Sequence, residues 1–139
     1  AEELYAVRAR LEGLVASAAA DLVTPDDAER LHALIERNAA LAGLPDGAME
    51  AGHQIHLELE RIADHSWASR TLAQVETQLA RYRRLSNASA SRRSAALTEH
   101  RAIVAAVAAG DATTAGRLAE EHVLAARAVT LSQLTSLPG

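Results

Sequence analysis

Two histidines of this chain stand inside apolar helical stripes, and a Gly-Asp break between them turns the stripes to face each other. One stripe reads Leu97, His100, Val104, Val107; the next reads Ala115, Leu118, His122, Ala125, Val129. Steps of three and four residues mark one face of an α-helix. Gly110-Asp111 interrupts the run, with Gly as a helix stop and Asp as the N-cap of the helix that follows. His100 lies ten residues before Gly110 and His122 eleven after Asp111. At ~1.5 Å rise per residue both sit about 15 Å from the turn. An antiparallel hairpin therefore holds both imidazoles inward at nearly one height.

The core around them has to be built from small and aliphatic residues. Nearly half the chain is apolar, yet Tyr5, Trp67 and Tyr82 are its only aromatic residues. A core of Ala, Leu and Val favours closely packed helices over a sheet. The 139 residues suit one domain, 1–139. The formal charge of −4 gives no electrostatic footprint for nucleic acid. The absence of cysteine excludes disulfides and thiolate zinc sites and is compatible with a cytoplasmic location. No apolar run approaches a membrane span, and no signal peptide is visible. The chain opens at Ala1 with helix almost at once, which reads as a piece of a longer protein.

In order, the first helix is expected over 2–21, with a stripe of Leu4, Val7, Leu11, Leu14, Ala18 and Leu22; Arg8 borders it. Thr24-Pro25-Asp26-Asp27 opens a second helix carrying Leu31, Leu34, Ile35, Asn38 and Leu41, which stops at Gly43. Leu44-Pro45-Asp46-Gly47 reads as a turn. A third helix over 48–64 presents Met49, Gly52, His56, Leu59 and Ala63 on one face. A break at His65 or Ser66 precedes a fourth helix with Leu72, Val75, Leu79 and Tyr82, ending in Arg81–Arg84, which reads as a solvated helix end. Residues 86–91 read as a polar linker, and Leu137-Pro138-Gly139 as a frayed end. The fold class is all-α: an antiparallel bundle of about six helices.

In that topology His56, His100, His122 and Arg8 share one level. Neutral imidazoles each carry one donor and one acceptor, and packed into an Ala/Leu core they find few partners. Each ring can be satisfied by a structural hydrogen bond, or all three by one divalent cation. The second reading leaves an open coordination position for a small molecule. His53, one turn before His56, is a possible additional ligand. His32 reads as a surface residue. His65 reads as a cap or as lining of the pocket. Arg8 is either a snorkelling side chain or a carboxylate clamp, and Glu12, one turn on, is its simplest partner. Glu99 and Glu121 are candidates to orient ligand rings. The competing reading is a metal-dependent enzyme. Glu29-x-x-His32 and Glu50-x-x-His53 have the spacing found in di-iron bundles, and a mononuclear zinc hydrolase needs only a general base beside the histidines. No catalytic residue is nominated.

Leu4-Tyr5-Ala6-Val7-Arg8 with Leu11-Glu12, Ile55-His56, Glu99-His100-Arg101-Ala102-Ile103, Ala109-Gly110-Asp111 and Glu121-His122 together resemble an FCD domain. This is the effector-binding C-terminal domain of the FadR subfamily of GntR transcription regulators. The resemblance implies an antiparallel helical bundle that forms a homodimer. It implies a divalent metal ion, zinc or nickel, on His56, His100 and His122, with a small carboxylate effector held by the metal and by Arg8, and with His65 near it. Family members carry an Asp ligand four residues before the first histidine; here Gly52 stands in that place. The resemblance also implies that DNA is bound only through an N-terminal winged helix-turn-helix, which this sequence does not include. It implies no membrane partner and a non-catalytic, ligand-sensing role.

Overall fold

The computed structural model describes residues 1–136 and contains six helices: α1 (Glu2–Leu22), α2 (Pro25–Leu41), α3 (Pro45–Ala63), α4 (Ser66–Ser86), α5 (Ala90–Ala108) and α6 (Ala112–Ser136). Among the described residues there is no strand, and the architecture is the expected all-α bundle. The expected frayed end at 137–139 lies outside them.

The helix starts follow capping chemistry. Thr24 and Asp27 form a reciprocal capping box at α2: Asp27 N–H donates to Thr24 Oγ1 at 3.1 Å, and Thr24 N–H to Asp27 Oδ2 at 3.0 Å. Asp111 Oδ1 accepts from Thr114 N–H at 3.2 Å at the start of α6, and Gly110 supplies the left-handed φ of +73° that ends the preceding turn. Two boundaries differ from expectation. Pro45 is the first residue of α3, so the turn is only 42–44; a proline fixed near helical φ starts a helix as readily as it marks a turn. Residues 86–91 are not a linker. Ser86 closes α4, and Ser89 caps α5 by accepting from Arg92 N–H at 3.1 Å. Small polar residues serve caps and loops alike, so composition could not separate the two. Arg93 pins the short connection, donating to the carbonyls of Ala42, Asn87 and Ala88 at 2.9 Å each.

The main correction concerns α1. The expected stripe is only half on the core: Leu4, Leu11 and Ala18 pack against it partly buried, while Val7, Leu14 and Leu22 are exposed. The buried face is Tyr5, Arg8, Ala9, Glu12, Gly13, Val15, Ala16, Ala19 and Ala20, one position round the helix. The reason is packing distance. α1 runs through the middle of the bundle, laid chiefly on α6 and also touching α3, α4 and α5. A helix with that many neighbours needs mostly small side chains on its inner face, and Val7, Leu14 and Leu22 are turned outward. α1 and α6 approach closely at Gly13 and Gly116. A Cβ on Gly116 would stand 3.2 Å from the Gly13 carbonyl oxygen. Further along, Tyr5 Oη and Thr130 Oγ1 share a buried hydrogen bond of 3.2 Å. The main core combines Val15, Ala16 and Ala19 of α1 with Leu31, Ile55, Leu59, Leu72, Ile103, Val104 and Val107.

This close crossing predicts that Gly116→Val destabilises the domain by about 1–3 kcal/mol, because the obstacle is backbone and cannot rotate away. Urea denaturation measures it; an unchanged midpoint would show that the helices are free to separate there.

Candidate metal and effector site

His56 on α3, His100 on α5 and His122 on α6 meet in the interior. Their ring centroids are 5.4, 5.3 and 4.7 Å apart, and one nitrogen from each lies within 4.8 Å of the others. All three residues are buried. The level inferred from helix lengths is therefore the level observed.

Each ring is anchored through Nδ1. His56 Nδ1 is 2.5 Å from Glu12 Oε2, His100 Nδ1 is 2.7 Å from Asn38 Oδ1, and His122 Nδ1 is 2.6 Å from Glu99 Oε1. Each oxygen accepts, so each Nδ1 carries the proton and each Nε2 presents a lone pair. His100 Nε2 is buried without a hydrogen-bond partner. Metal-binding histidines are commonly oriented this way, by an oxygen on the far nitrogen that fixes the tautomer and raises basicity. The donor set thus fits a divalent cation of the zinc or nickel kind.

The anchors are themselves braced. Arg92 reaches seven residues along α5 to grip both oxygens of Glu99, at 2.9 and 2.7 Å. Burial works against the charge on Glu12, yet His56 and Arg8 outweigh it and hold the carboxyl at about 2. Burial, then the neighbouring rings, push His100 and His122 well below the ordinary imidazole range. His100 and His122 thus keep their lone pairs free for a cation.

A cavity of about 60 Å³ lies against the rings, lined on its polar side by Arg8, His53, Glu76, Arg83 and Arg92. Counting charges, Arg8, Arg83 and Arg92 are matched by Glu12, Glu76 and Glu99, so these six groups leave no net charge. A divalent ion would make the site positive by two, a setting for an anion.

Several expectations need correction. Arg8 does not pair with Glu12; its Nε lies 2.7 Å from Glu76 Oε1, off the N–H direction, so the contact is an ion pair without a directed hydrogen bond. His65 is exposed, caps α4 by accepting from Ala68 N–H at 3.2 Å, and is not among the residues lining the cavity. His53 lines the cavity wall but does not join the converging nitrogens. Arg83, expected at a solvated helix end, turns inward instead. Glu121 pairs with Arg117 on the surface at 3.1 Å. The Glu-x-x-His pairs do not converge: Glu29, His32 and Glu50 are exposed. At position 52 a Cβ would meet His100 Cε1 at 2.9 Å, so the His100 ring fills the space that a side chain there would take. From the sequence, Glu12 is given only to Arg8, and Asn38, Arg92 and Glu76 have no place in the site. Asn38 alone left a signal, as a polar residue inside the second helix's stripe.

The FCD domain family matches residues 3–125. The chain belongs to the FCD family. FCD domains are the ligand-sensing domains of GntR-type transcription regulators, and they often bind metals. A search of the curated proteins finds no match to this chain. Among the described residues, no helix of this FCD domain is long and apolar enough to cross a membrane.

The neutral rings set a pH dependence. In the unfolded chain imidazoles take up protons near pH 6.5, whereas His100 and His122 resist it in the fold. Their contribution is therefore complete above pH 6.5 and is lost as pH falls below it, at up to about 1.4 kcal/mol per pH unit for each ring. Glu60, pushed up to about 7 first by desolvation and then by Glu12, offsets part of this. Metal-stripped domain should lose stability to urea between pH 7.5 and 5.5; a flat or rising profile would contradict the assignment.

Proposed function

We propose that this FCD domain senses a small organic acid at a divalent metal ion, zinc or nickel, held by His56, His100 and His122 inside the bundle. The observation that carries the reading is the orphaned Nε2 of His100, facing two further rings whose Nδ1 atoms are likewise tied down. A ring fixed in that tautomer and sealed from solvent loses a hydrogen bond unless something accepts its lone pair. A cation does so for all three rings at once.

With Gly52 where family members carry aspartate, three side chains bind the ion and the remaining positions fall to water or to the acid. The acid's carboxylate is drawn to the metal, which supplies Lewis-acid attraction for its oxygens, and to Arg8 on the cavity wall. His53 stands beside the site and supplies no ligand in this reading. The domain acts within a cytoplasmic regulator as a homodimer, and DNA is contacted by a separate winged helix-turn-helix. Acid binding changes DNA affinity only to the extent that the two dimer arrangements bind the acid unequally.

The test is thermal unfolding of the stripped domain with Zn²⁺ or Ni²⁺, then with small mono- and dicarboxylates. Metal should raise the midpoint, and an acid should raise it again, by about 2.7 kcal/mol of stability at a hundredfold excess over its dissociation constant. His100→Ala should abolish metal retention. If no metal shifts the midpoint and His100→Ala keeps the wild-type metal content, the proposal fails.

A further inference from the structure

Of the three carboxylates around the site, two are firmly built in. Glu99 takes two hydrogen bonds from Arg92 and one from His122; Glu12 takes one from His56. Glu76 is different. It reaches from α4 between two arginines, with Oε1 2.7 Å from Arg8 Nε and Oε2 3.7 Å from Arg83 Nη1. Neither contact is a directed hydrogen bond, and the Nε donors of Arg8 and Arg83 are both buried without one. A buried guanidinium, Arg8, and a partly buried one, Arg83, thus share one carboxylate that gives neither a directed hydrogen bond. Arginine pairs well with a carboxylate that can present both oxygens in its plane, and this one does not.

The surroundings give Glu76 somewhere else to go. Arg8, Glu76 and Arg83 line the cavity against the histidines, and Glu76 and Arg83 also line an adjoining groove of about 410 Å³ between α3 and α4. Leu57, Thr77, Ala80 and Glu60, whose carboxyl is pushed up to about 7 by burial, form other parts of that groove. Glu76 and Arg83, together with His53, form the partition between the two spaces. A carboxylate on that partition can swing outward into the groove while another acidic group takes its place between the arginines, with no change in the local charge balance.

We propose that Glu76 is an internal competitor in an anion subsite formed by Arg8 and Arg83. The ligand for that subsite is the second acidic group of a short dicarboxylate whose first acidic group lies at the metal. The inference rests on the metal-centred reading above and adds a specificity determinant to it. Glu76 lowers the apparent affinity for every acid that needs the subsite, by the fraction of molecules in which it holds the arginines. An acid with one carboxylate reaches only Arg8, from the metal side, and leaves Glu76 facing Arg83, so it depends on Glu76 far less.

Calorimetric titration of the zinc-loaded domain with succinate and with butyrate tests this, since the two differ by a carboxylate in place of a methyl group. Glu76→Gln should tighten succinate by about tenfold or more and leave butyrate nearly unchanged. Arg83→Gln should weaken succinate on the order of tenfold, again sparing butyrate, with zinc content at the wild-type level in both variants. Acids that bind with a succinate-to-butyrate ratio unmoved by Glu76→Gln would overturn this inference alone. Failure of both acids to bind the loaded wild-type domain and the Glu76→Gln variant would overturn the metal-centred reading with it. Should Glu76→Gln not fold, Arg83→Gln decides: loss of succinate preference supports the subsite, and an unchanged ratio removes it.

Discussion

The site depends on the burial of three imidazoles whose protons are all committed outward. Each Nδ1–H is spent on an oxygen from a different helix: Glu12 of α1, Asn38 of α2, Glu99 of α5. Once those bonds form, the three Nε2 lone pairs have only each other and the cavity. Lone pairs repel, and in a low-dielectric interior the alternative of protonating His100 or His122 is opposed by desolvation. The fold therefore holds an unmet demand for positive charge at one point, enforced by five helices: α3, α5 and α6 for the rings, α1 and α2 with α5 for the anchors.

That demand explains the unusual inner face of α1. A helix lying against four neighbours needs small residues, which α1 supplies in Ala9, Gly13, Ala16, Ala19 and Ala20. It nevertheless buries Arg8 and Glu12. Buried charges persist where partners compensate them, and here the compensation is distributed. Glu12 is balanced by His56 and Arg8, and Arg8 faces Glu76. The same helix thus spaces the bundle and carries two of its site residues, while Val7 and Leu14 are left on the outside.

Much of this was legible in the sequence. The histidines at helical spacing about Gly110-Asp111, and His56 at a matching distance from its own helix end, located the site because helix length is a ruler. The anchors were not legible. Glu12 and His56 are 44 residues apart and Asn38 and His100 are 62, and no periodicity links such positions. Glu12 was further masked by Arg8, since a pair one turn apart invites a local salt bridge. The α1 stripe misled because hydrophobic size was read as burial, when the crowded interior selects smallness. Arg83 was hidden among four residues of a basic helix end, where direction depends on one step of 100°. Gly52 looked like a lost ligand; the structure shows it also as room for the His100 ring.

The most direct test of the central claim is X-ray absorption spectroscopy of the zinc-loaded domain. Three imidazole ligands, completed by light oxygen donors and reduced to two in His122→Ala, are predicted. A spectrum showing one imidazole or none, unaltered by that substitution, would contradict the account.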